Sequence, residues 1–131
     1  MTHAESFFRD MFHHIWQSHD IEKLDQFYAK DFHESIATTD DHLAPVENQM
    51  NYEYMVEQAA LHKRNFRDTT LDIKKLIAND KKHIAIYFYS SAIEIKTGKK
   101  RYRYVSGIWR LNAENKIDRV WATVTAYGIN A

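Results

Sequence analysis

Apolar residues recur at helical spacing in three segments of the first half of the chain. Between Glu5 and Ser18, one face of the predicted helix is apolar, at Phe8, Met11, Phe12, Ile15 and Trp16. A short second helix is predicted after Asp20, a residue type that commonly caps a helix N-terminus. Residues 51–66 predict a longer third helix, whose half-buried face carries Tyr52, Met55, Val56, Ala59, His62 and Phe66.

The remaining pattern has a period of two, which is typical of strands. Residues 32–38 predict one strand between helices two and three, followed by a polar loop that contains the only proline. After Asp68, β-branched and aromatic residues alternate with polar ones at residues 69–78, 83–95, 101–111 and 116–127. Short turns separate these segments, so neighbouring strands should be antiparallel. The order ααβαββββ predicts an α+β domain, with helices on one face of a curved sheet.

Length and composition restrict these elements to one domain, residues 1–131. The chain is 44% hydrophobic and 14% aromatic, with one proline and three glycines, which suffices for one core and leaves few places for a linker. The absence of cysteine excludes disulfides, thiolate nucleophiles and zinc–thiolate sites. No segment has the apolar length of a membrane span, and the N-terminus does not look like a secretory signal. We therefore expect a soluble, cytoplasmic protein with no membrane partner.

Charge is balanced overall but divided unevenly along the chain. Residues 1–60 contain twelve acidic and three basic residues, whereas residues 61–131 contain six acidic and fifteen basic residues. The two halves are expected to face each other or a symmetry mate. The basic hairpin at residues 96–104 interleaves cations with tyrosines, but zero net charge argues against a large nucleic-acid-binding surface. We expect no nucleic-acid partner.

The order of elements, the stretch DIEKLDQFYAKDF at residues 20–32 and the closing stretch GIWRLNAENKIDRVWA at residues 107–122 resemble the nuclear transport factor 2-like superfamily. This superfamily includes SnoaL-like polyketide cyclases and steroid delta-isomerases. The resemblance implies a cystatin-like, cone-shaped, mostly antiparallel sheet closed by helices, with an apolar pocket at its wider end. In the isomerases a tyrosine and an aspartate carry the chemistry, and an ungapped alignment puts Phe12 and Ile36 at those positions. Neither residue can perform that chemistry.

Candidate chemistry lies in the stretch KDFHESIATTDDH at residues 30–42. Strand alternation sends Phe32, Glu34 and Ile36 to one side, so Glu34 is predicted to enter the pocket, where burial should raise its pKa. His62 lies on the apolar face of the third helix, and a carboxyl and an imidazole that converge in an apolar cavity can transfer protons near neutral pH. We therefore predict a catalytic Glu34–His62 pair. The alternatives are that backbone or water satisfies each group separately, or that a one-residue register slip puts His33 and Ser35 in the pocket instead.

The pocket is predicted to have an apolar lining and the outer face of the sheet a largely aromatic surface. The expected ligand-binding residues are Phe12, Trp16, Ile36, Met55, Trp109, Val120 and Val124. With the register that the isomerase resemblance implies, the residues of the last two strands that face the helices should be Val105, Gly107, Trp109, Leu111, Val120, Ala122 and Val124. The outer face should then carry Tyr87, Tyr89, Tyr104, Ile108, Trp121 and Thr123, which is too aromatic for open water. A sheet that is apolar on both faces needs cover on both faces. We therefore expect a homodimer through this outer face.

Metal and cofactor sites are not expected. His33 points away from Glu34, and Asp40, Asp41 and His42 have no recognised ligand spacing; the loop that holds them is expected to cap the third helix or to rim the pocket. No phosphate loop, dinucleotide fingerprint or nucleophile motif occurs.

Two functions remain open at the level of sequence. One is a small lyase-, isomerase- or cyclase-type enzyme that acts by acid/base chemistry on an apolar carbonyl-bearing or ring substrate, with Glu34 as general acid or base and His62 orienting or relaying the proton. The other is a non-catalytic module that binds a hydrophobic ligand or mediates dimeric interactions. Which of the two applies, and which molecule enters the pocket, is left open by the sequence.

Overall fold

A computed structural model of the protein describes residues 2–39, 46–79, 82–125 and 128–129. Helix α1 (His3–Phe12) continues directly into a π-helical turn (His13–Gln17), and a 3-10 turn (Ile21–Lys23) leads into the short helix α2 (Leu24–Phe27). Helix α3 spans Tyr52–Asn65. Within the described residues, no helix is long and apolar enough to cross a membrane. The cytoplasmic location expected from the sequence stays a prediction.

The strands form one curved sheet that does not close into a barrel. Its order is β2-β1-β6-β5-β4-β3, with β7 paired to β5. Neighbouring strands run antiparallel except β1 and β6, which are parallel. The strands are β1 (Tyr28–Thr39), β2 (Val46–Asn51), β3 (Phe66–Ala78), β4 (His83–Glu94), β5 (Lys100–Leu111), β6 (Ile117–Thr125) and β7 (Gly128–Ile129). The predicted α+β class and the antiparallel pairing of the four last predicted strands are confirmed.

Two boundaries differ from the sequence prediction. The second helix ends at Phe27, because Tyr28 already has extended backbone angles and begins β1. Residues 46–50, expected in a loop, and Asn51, expected at the start of the third helix, form β2 along the free edge of β1. In both places strand pairing supplies backbone hydrogen bonds that local propensity could not reveal. The rest of that predicted loop, including Asp40, Asp41 and His42, lies outside the described residues.

The core lies between the helices and the concave face of the sheet. Phe8 of α1 packs against Phe88 of β4 and Trp109 of β5, with ring centroids 5.5 Å and 5.4 Å apart. Of the predicted inward residues of the last two long strands, Gly107 is half-buried and the other six are buried: Val105, Trp109, Leu111, Val120, Ala122 and Val124. Of the predicted outward residues, Tyr89 is half-buried and the others are exposed, including Tyr87, Tyr104, Ile108 and Trp121 at 37–43% of their full accessibility. The predicted register of this part of the sheet is therefore confirmed.

Gly107 marks the tightest approach between two strands. A Cβ atom at this position would lie 2.5 Å from the backbone oxygen of Trp121 and 2.9 Å from the Cα atom of Ala122. Both are backbone atoms of the neighbouring strand β6, so they cannot move aside cheaply. Only glycine fits there without a shift of the backbone.

Candidate functional site

A cavity of about 350 Å³ lies between the concave face of the sheet and the helices α1 and α3. Most of its wall is apolar or aromatic, with contributions from Phe8, Phe12, Trp16, Phe66, Phe88 and Trp109. Its polar groups come from Tyr28, Glu34, Tyr54, Gln58, His62, Asn65 and Arg103. An apolar enclosure with a few convergent polar groups is the usual form of a small-molecule site.

Eight of the nine residues that the sequence assigned to the site line this cavity. They are Glu34, His62, Phe12, Trp16, Ile36, Met55, Trp109 and Val124. Val120 is different: it has no exposed surface and belongs to the core under the cavity, where it packs without reaching the wall. What these residues do to a ligand stays a prediction, because their position alone does not define a role.

Glu34 reaches the cavity because of its place in β1. The strand is paired on both sides, with Glu34 opposite Met50 of β2 and Val120 of β6. These pairings satisfy the backbone hydrogen bonds of β1 and fix which of its side chains face the helices. Phe32 is buried on the same side and His33 is exposed on the other, as the alternation predicted. Burial raises the pKa of the Glu34 carboxyl from 4.5 to about 7, although the positive charges of Arg103 and Arg119 act in the opposite direction. Loss of hydration therefore outweighs both arginines.

Tyr28, at the first position of β1, places a phenol beside this carboxyl. Its hydroxyl donates to the sulfur of Met11 over 3.7 Å, and the indole of Trp109 also hydrogen-bonds to it. Burial and then the nearby Glu34 charge raise the pKa of Tyr28 well above its ordinary range. The phenol therefore keeps its proton at every working pH and can act only as a neutral hydrogen-bonding group. The helical spacing that begins after Asp20 extends to Tyr28, which the sequence therefore placed on the second helix and chiefly in the core, so its position beside Glu34 was not predicted.

His62 lies on the inner face of α3, near the C-terminal end of the helix. Asn51 fixes where the helix begins, because its side-chain oxygen accepts the backbone N–H of Tyr54 over 2.9 Å. The imidazole Nε2 is 2.8 Å from Oγ1 of Thr69, and the ring also hydrogen-bonds to the backbone of Trp16. Burial, followed by the charges of Arg103 and His19, lowers the pKa of His62 to about 4. Its partners are therefore Thr69 and Trp16 instead of Glu34, and the ring is neutral at neutral pH.

The π-helical turn after α1 contributes to this anchoring. It brings the Trp16 ring to 5.5 Å from the His62 ring, and it lets the Gln17 side-chain amide donate to the backbone carbonyl of Thr69 over 3.0 Å. Thr69 is thus held by Gln17 through its carbonyl and by His62 through its hydroxyl. The helix, the turn and β3 are tied together at one rim of the cavity. Local π-helical turns are often found at functional sites.

Arg103 is the cationic residue that sequence reasoning did not place in the site. It is half-buried in β5 and lines the cavity. Its charge is felt by both Glu34 and His62, whose pKa values it lowers. The alternation that predicted Val105, Gly107 and Trp109 to face the helices also points Arg103 inward, two positions earlier. The signal was present, but the residue was grouped with the basic hairpin.

Within the described residues, no three histidine or carboxylate side chains converge in a way that could hold a metal ion. The carboxylates and the histidine of the predicted loop, Asp40, Asp41 and His42, lie outside that part of the chain.

An unclosed, curved, mostly antiparallel sheet with helices over its concave face and a cavity between them defines the nuclear transport factor 2-like fold, and this chain has that fold. No protein-family model and no curated protein sequence matches it significantly. Sequence identities to the solved structures are low, so those structures show the fold alone.

Among the solved structures, IdmH from Streptomyces antibioticus, provisionally assigned as a polyketide cyclase, aligns with a TM-score of 0.69 at 15% identity, over 94% of this chain and 92% of that chain. SalBIII, described as an epoxide hydrolase/cyclase-like enzyme in pyran ring formation in salinomycin, has a TM-score of 0.69 at 14% identity, with 97% and 95% covered. A protein with a ketosteroid isomerase-like fold from Catenulispora acidiphila, in complex with trimethylamine, has a TM-score of 0.63 at 13% identity, with 86% and 81% covered.

Proposed function

We propose that this protein is a small enzyme that uses Glu34 as a general acid or base on an apolar, carbonyl-bearing or ring substrate, in the manner of a lyase, isomerase or cyclase. One observation carries the proposal: a carboxyl with a pKa of about 7 lies in the wall of an apolar cavity, beside a phenol that stays protonated. A catalytic group works best when its pKa is close to the operating pH, since both of its forms are then available. The cyclase-type names among the solved neighbours agree with this chemistry.

The proposed roles follow from the protonation states. As a carboxylate, Glu34 would remove a proton from a carbon next to a carbonyl, and the electron pair of the broken C–H bond would move to the carbonyl oxygen. Tyr28 or Trp109 would donate a hydrogen bond to that oxygen as negative charge develops on it. The protonated Glu34 would then return the proton to another atom of the same substrate. Return of the proton to another carbon of the enolate gives an isomerisation. If the enolate carbon instead attacks a second carbonyl carbon of the same substrate, a C–C bond closes the ring, the electron pair of that C=O π bond becomes an alkoxide, and the alkoxide takes the proton from Glu34. Neither path needs an external reactant.

His62 would position the substrate instead of carrying its proton. With a pKa of about 4, the ring is almost entirely neutral near pH 7, and its hydrogen bonds hold it in one orientation. A rigid, neutral imidazole between Trp16 and Phe66 supplies a flat wall for an aromatic or ring-shaped molecule. Of the two roles predicted for this residue, orientation is therefore the one we propose.

A non-catalytic binding role is the second candidate, and the anchoring of His62 favours it. A general base usually has a partner that relays or orients its proton, yet the imidazole in this cavity bonds to Thr69 and Trp16. Phe12 and Ile36, at the positions that the isomerase resemblance assigns to catalysis, also line the cavity and carry no reactive group. In this case the cavity would store or deliver an apolar molecule.

Glu34→Gln separates the two functions. A panel of cyclic ketones and polyketide-like aromatic ketones would be screened for ligand-induced thermal stabilisation, and the ligands found would be assayed for turnover. We expect Glu34→Gln to lower kcat by at least about 10²-fold, the usual contribution of a general acid–base group, and to keep the ligand-induced stabilisation. The control is Glu53→Gln, which changes an exposed glutamate on α3 in the same way. Unchanged turnover in Glu34→Gln would contradict the catalytic proposal, and binding without turnover in the wild type would favour the binding role.

We also propose that the protein is a homodimer through the outer face of the sheet. Tyr87, Tyr104, Ile108 and Trp121 expose large apolar surface there, next to a shallow groove of about 540 Å³. The rings of Tyr87 and Tyr104 stack with their centroids 5.6 Å apart, so the surface is preorganised and aromatic, as dimer interfaces often are. Burial against a second copy would remove this patch from water.

A further inference from the structure

The floor of the cavity has a gap in its layer of side chains at Ala122. Among the described residues that line the cavity, this alanine has the smallest side chain. Its two partners across the sheet are Ile36 of β1 and Gly107 of β5. Gly107 has no side chain, and a Cβ atom added there would come to 3.0 Å from the Cβ atom of Ala122. One methyl group therefore covers an area of the inward face where two adjacent strands normally place two side chains.

Larger side chains border this gap along both strands. The neighbouring inward residues are Val105 and Trp109 on β5 and Val120 and Val124 on β6. All four belong to the buried core. Since close-packed core side chains change position little, the gap is a lasting depression in the floor of the cavity. The single methyl group of Ala122 sets its depth.

The depression lies beside the acid/base group of the cavity. Glu34 is paired with Val120, which is also the partner of Trp109. Val120 precedes Ala122 by two residues, so roughly 7 Å of strand separates the depression from the level of Glu34. A molecule whose body lies over Ala122 can therefore present a carbonyl group at its edge to the carboxyl of Glu34.

The volume of the cavity limits the size of that body. At ~30 Å³ for each water-sized group, about 350 Å³ holds roughly a dozen non-hydrogen atoms. Two fused six-membered rings with one carbonyl oxygen have that size, whereas a skeleton of four fused rings is too large. The wall also offers flat surfaces, because the rings of His62 and Phe66 stack with their centroids 5.1 Å apart. Flat rings pack well against such surfaces.

We propose that the substrate is a ketone with two fused rings and that Ala122 determines this specificity, because the depression above it receives the ring that does not carry the carbonyl. The inference rests on the proposed function in taking this cavity as the substrate site, and it adds the size of the substrate and the residue that sets it. Ala122→Leu would add three carbon atoms to the floor. At ~30 Å³ each, they would take roughly 90 Å³, about a quarter of the cavity. One ring would still fit, and two would not.

Three uncharged ketones of increasing size test the proposal: cyclohexanone, 2-tetralone and a steroid enone with four rings. Affinities would be measured by NMR titration of the wild type and of Ala122→Leu. We expect the wild type to bind 2-tetralone at least about tenfold more tightly than cyclohexanone, because the second ring buries more apolar surface, and at least about tenfold more tightly than the steroid. Ala122→Leu should lower the affinity for 2-tetralone by about tenfold or more and change that for cyclohexanone by less than about threefold.

The matched control is Ala78→Leu. It adds the same three carbon atoms at an exposed residue that ends β3 and does not line the cavity, so all three affinities should stay those of the wild type. If Ala122→Leu does not fold by circular dichroism, Ala122→Val replaces it with the same direction of change. Ala122→Gly should keep the preference for 2-tetralone, because it deepens the depression.

The outcomes separate this inference from the proposed function. A steroid that binds as tightly as 2-tetralone, or an affinity for 2-tetralone that survives in Ala122→Leu, would overturn the inference and leave the cavity as a ligand site. An equal loss of cyclohexanone and 2-tetralone in Ala122→Leu would also overturn it, because the effect would not depend on size. Failure of all three ketones to bind would overturn both proposals. The expected pattern of affinities without turnover of 2-tetralone would support the inference on size and contradict the catalytic role.

Discussion

The burial of Glu34 has a consequence for stability that can be measured without a substrate. In the unfolded chain the carboxyl has its ordinary pKa of 4.5, and in the folded protein the pKa is about 7. Below pH 4.5 the carboxyl is protonated in both states and burial has no ionisation cost. Between pH 4.5 and about 7 the carboxyl of the unfolded chain ionises, whereas the carboxyl of the folded protein keeps its proton. Above about pH 7 the folded protein must bury the charge. Stability is therefore lost as the pH rises between these two values.

The size of the loss follows from the shift. Each pKa unit corresponds to about 1.4 kcal/mol, so the shift of Glu34 costs about 3 kcal/mol of unfolding free energy above pH 7. Replacement of Glu34 by glutamine removes the titration while keeping the shape. The variant should equal the wild type near pH 4.5 and should be more stable by about 3 kcal/mol at pH 8.

The titration of His62 changes the unfolding free energy in the opposite direction. The wild type by itself would therefore not show the loss of stability that Glu34 causes. Its pKa falls from 6.5 in the unfolded chain to about 4 in the folded protein, so its contribution is lost as the pH falls between these values. This loss is also about 3 kcal/mol at its limit. Between pH 4.5 and 6.5 the two slopes nearly cancel, so the wild type should show a flat profile and Glu34→Gln a rising one.

Urea unfolding followed by tryptophan fluorescence, at several pH values from about 5 to about 8, measures both profiles. The difference between the two proteins at each pH removes the titrations that they share. Glu57→Gln, which changes an exposed glutamate away from both ends of α3, is the control and should follow the wild type at every pH. Parallel profiles of Glu34→Gln and the wild type, separated by a constant, would refute the claim that this carboxyl titrates near neutrality in the folded protein.

Four further changes test other parts of the structure. Gly107→Ala should destabilise the protein by about 1–3 kcal/mol, visible as a lower Tm, because the added methyl meets the backbone of Trp121. Tyr28→Phe should lower kcat by roughly tenfold or more with little change in ligand affinity, since it removes one hydrogen bond to the developing oxyanion. His62→Gln should leave the titration of Glu34 unopposed, so its stability should fall as the pH rises from about 5 to about 7 in the same urea experiment. Trp121→Glu should reduce the mass found by light scattering from that of two chains to 15.6 kDa, whereas Ile95→Glu, an exposed apolar residue on the hairpin, should leave the dimer intact.

Much of the architecture could be predicted because its signals are local. Period-two alternation identified β3, β4, β5 and β6 within a few residues of their observed ends, and it oriented Glu34 toward the helices. Helical spacing placed His62 on the inner face of α3. The strand β2 was missed because its residues are polar and become a strand only by pairing with β1.

The site itself could be predicted only in part. The residue types and their faces were readable, so eight of the nine assigned residues line the cavity. The partners of these residues could not be read from the sequence. Sequence patterns suggested that Glu34 pairs with His62, whereas the imidazole hydrogen-bonds to Thr69. The groups beside Glu34 are Tyr28, Arg103 and Arg119. Tyr28 precedes Glu34 by six residues on the same strand, but no regular spacing along the chain relates Glu34 to the two arginines or His62 to Thr69.

The sequence by itself determined which side chains face inward, because alternation along a strand or around a helix is a local property of the backbone. Tertiary structure alone decided which inward side chains meet. The parallel pairing of β1 with β6 lets Arg119 donate a hydrogen bond to the hydroxyl of Ser35, 84 residues away along the chain, and so puts an arginine behind the strand of Glu34. The closure of the helices over the sheet then removes water from the carboxyl. Its raised pKa is a property of that enclosure, since desolvation depends on everything that surrounds the group and on no single neighbour in the chain.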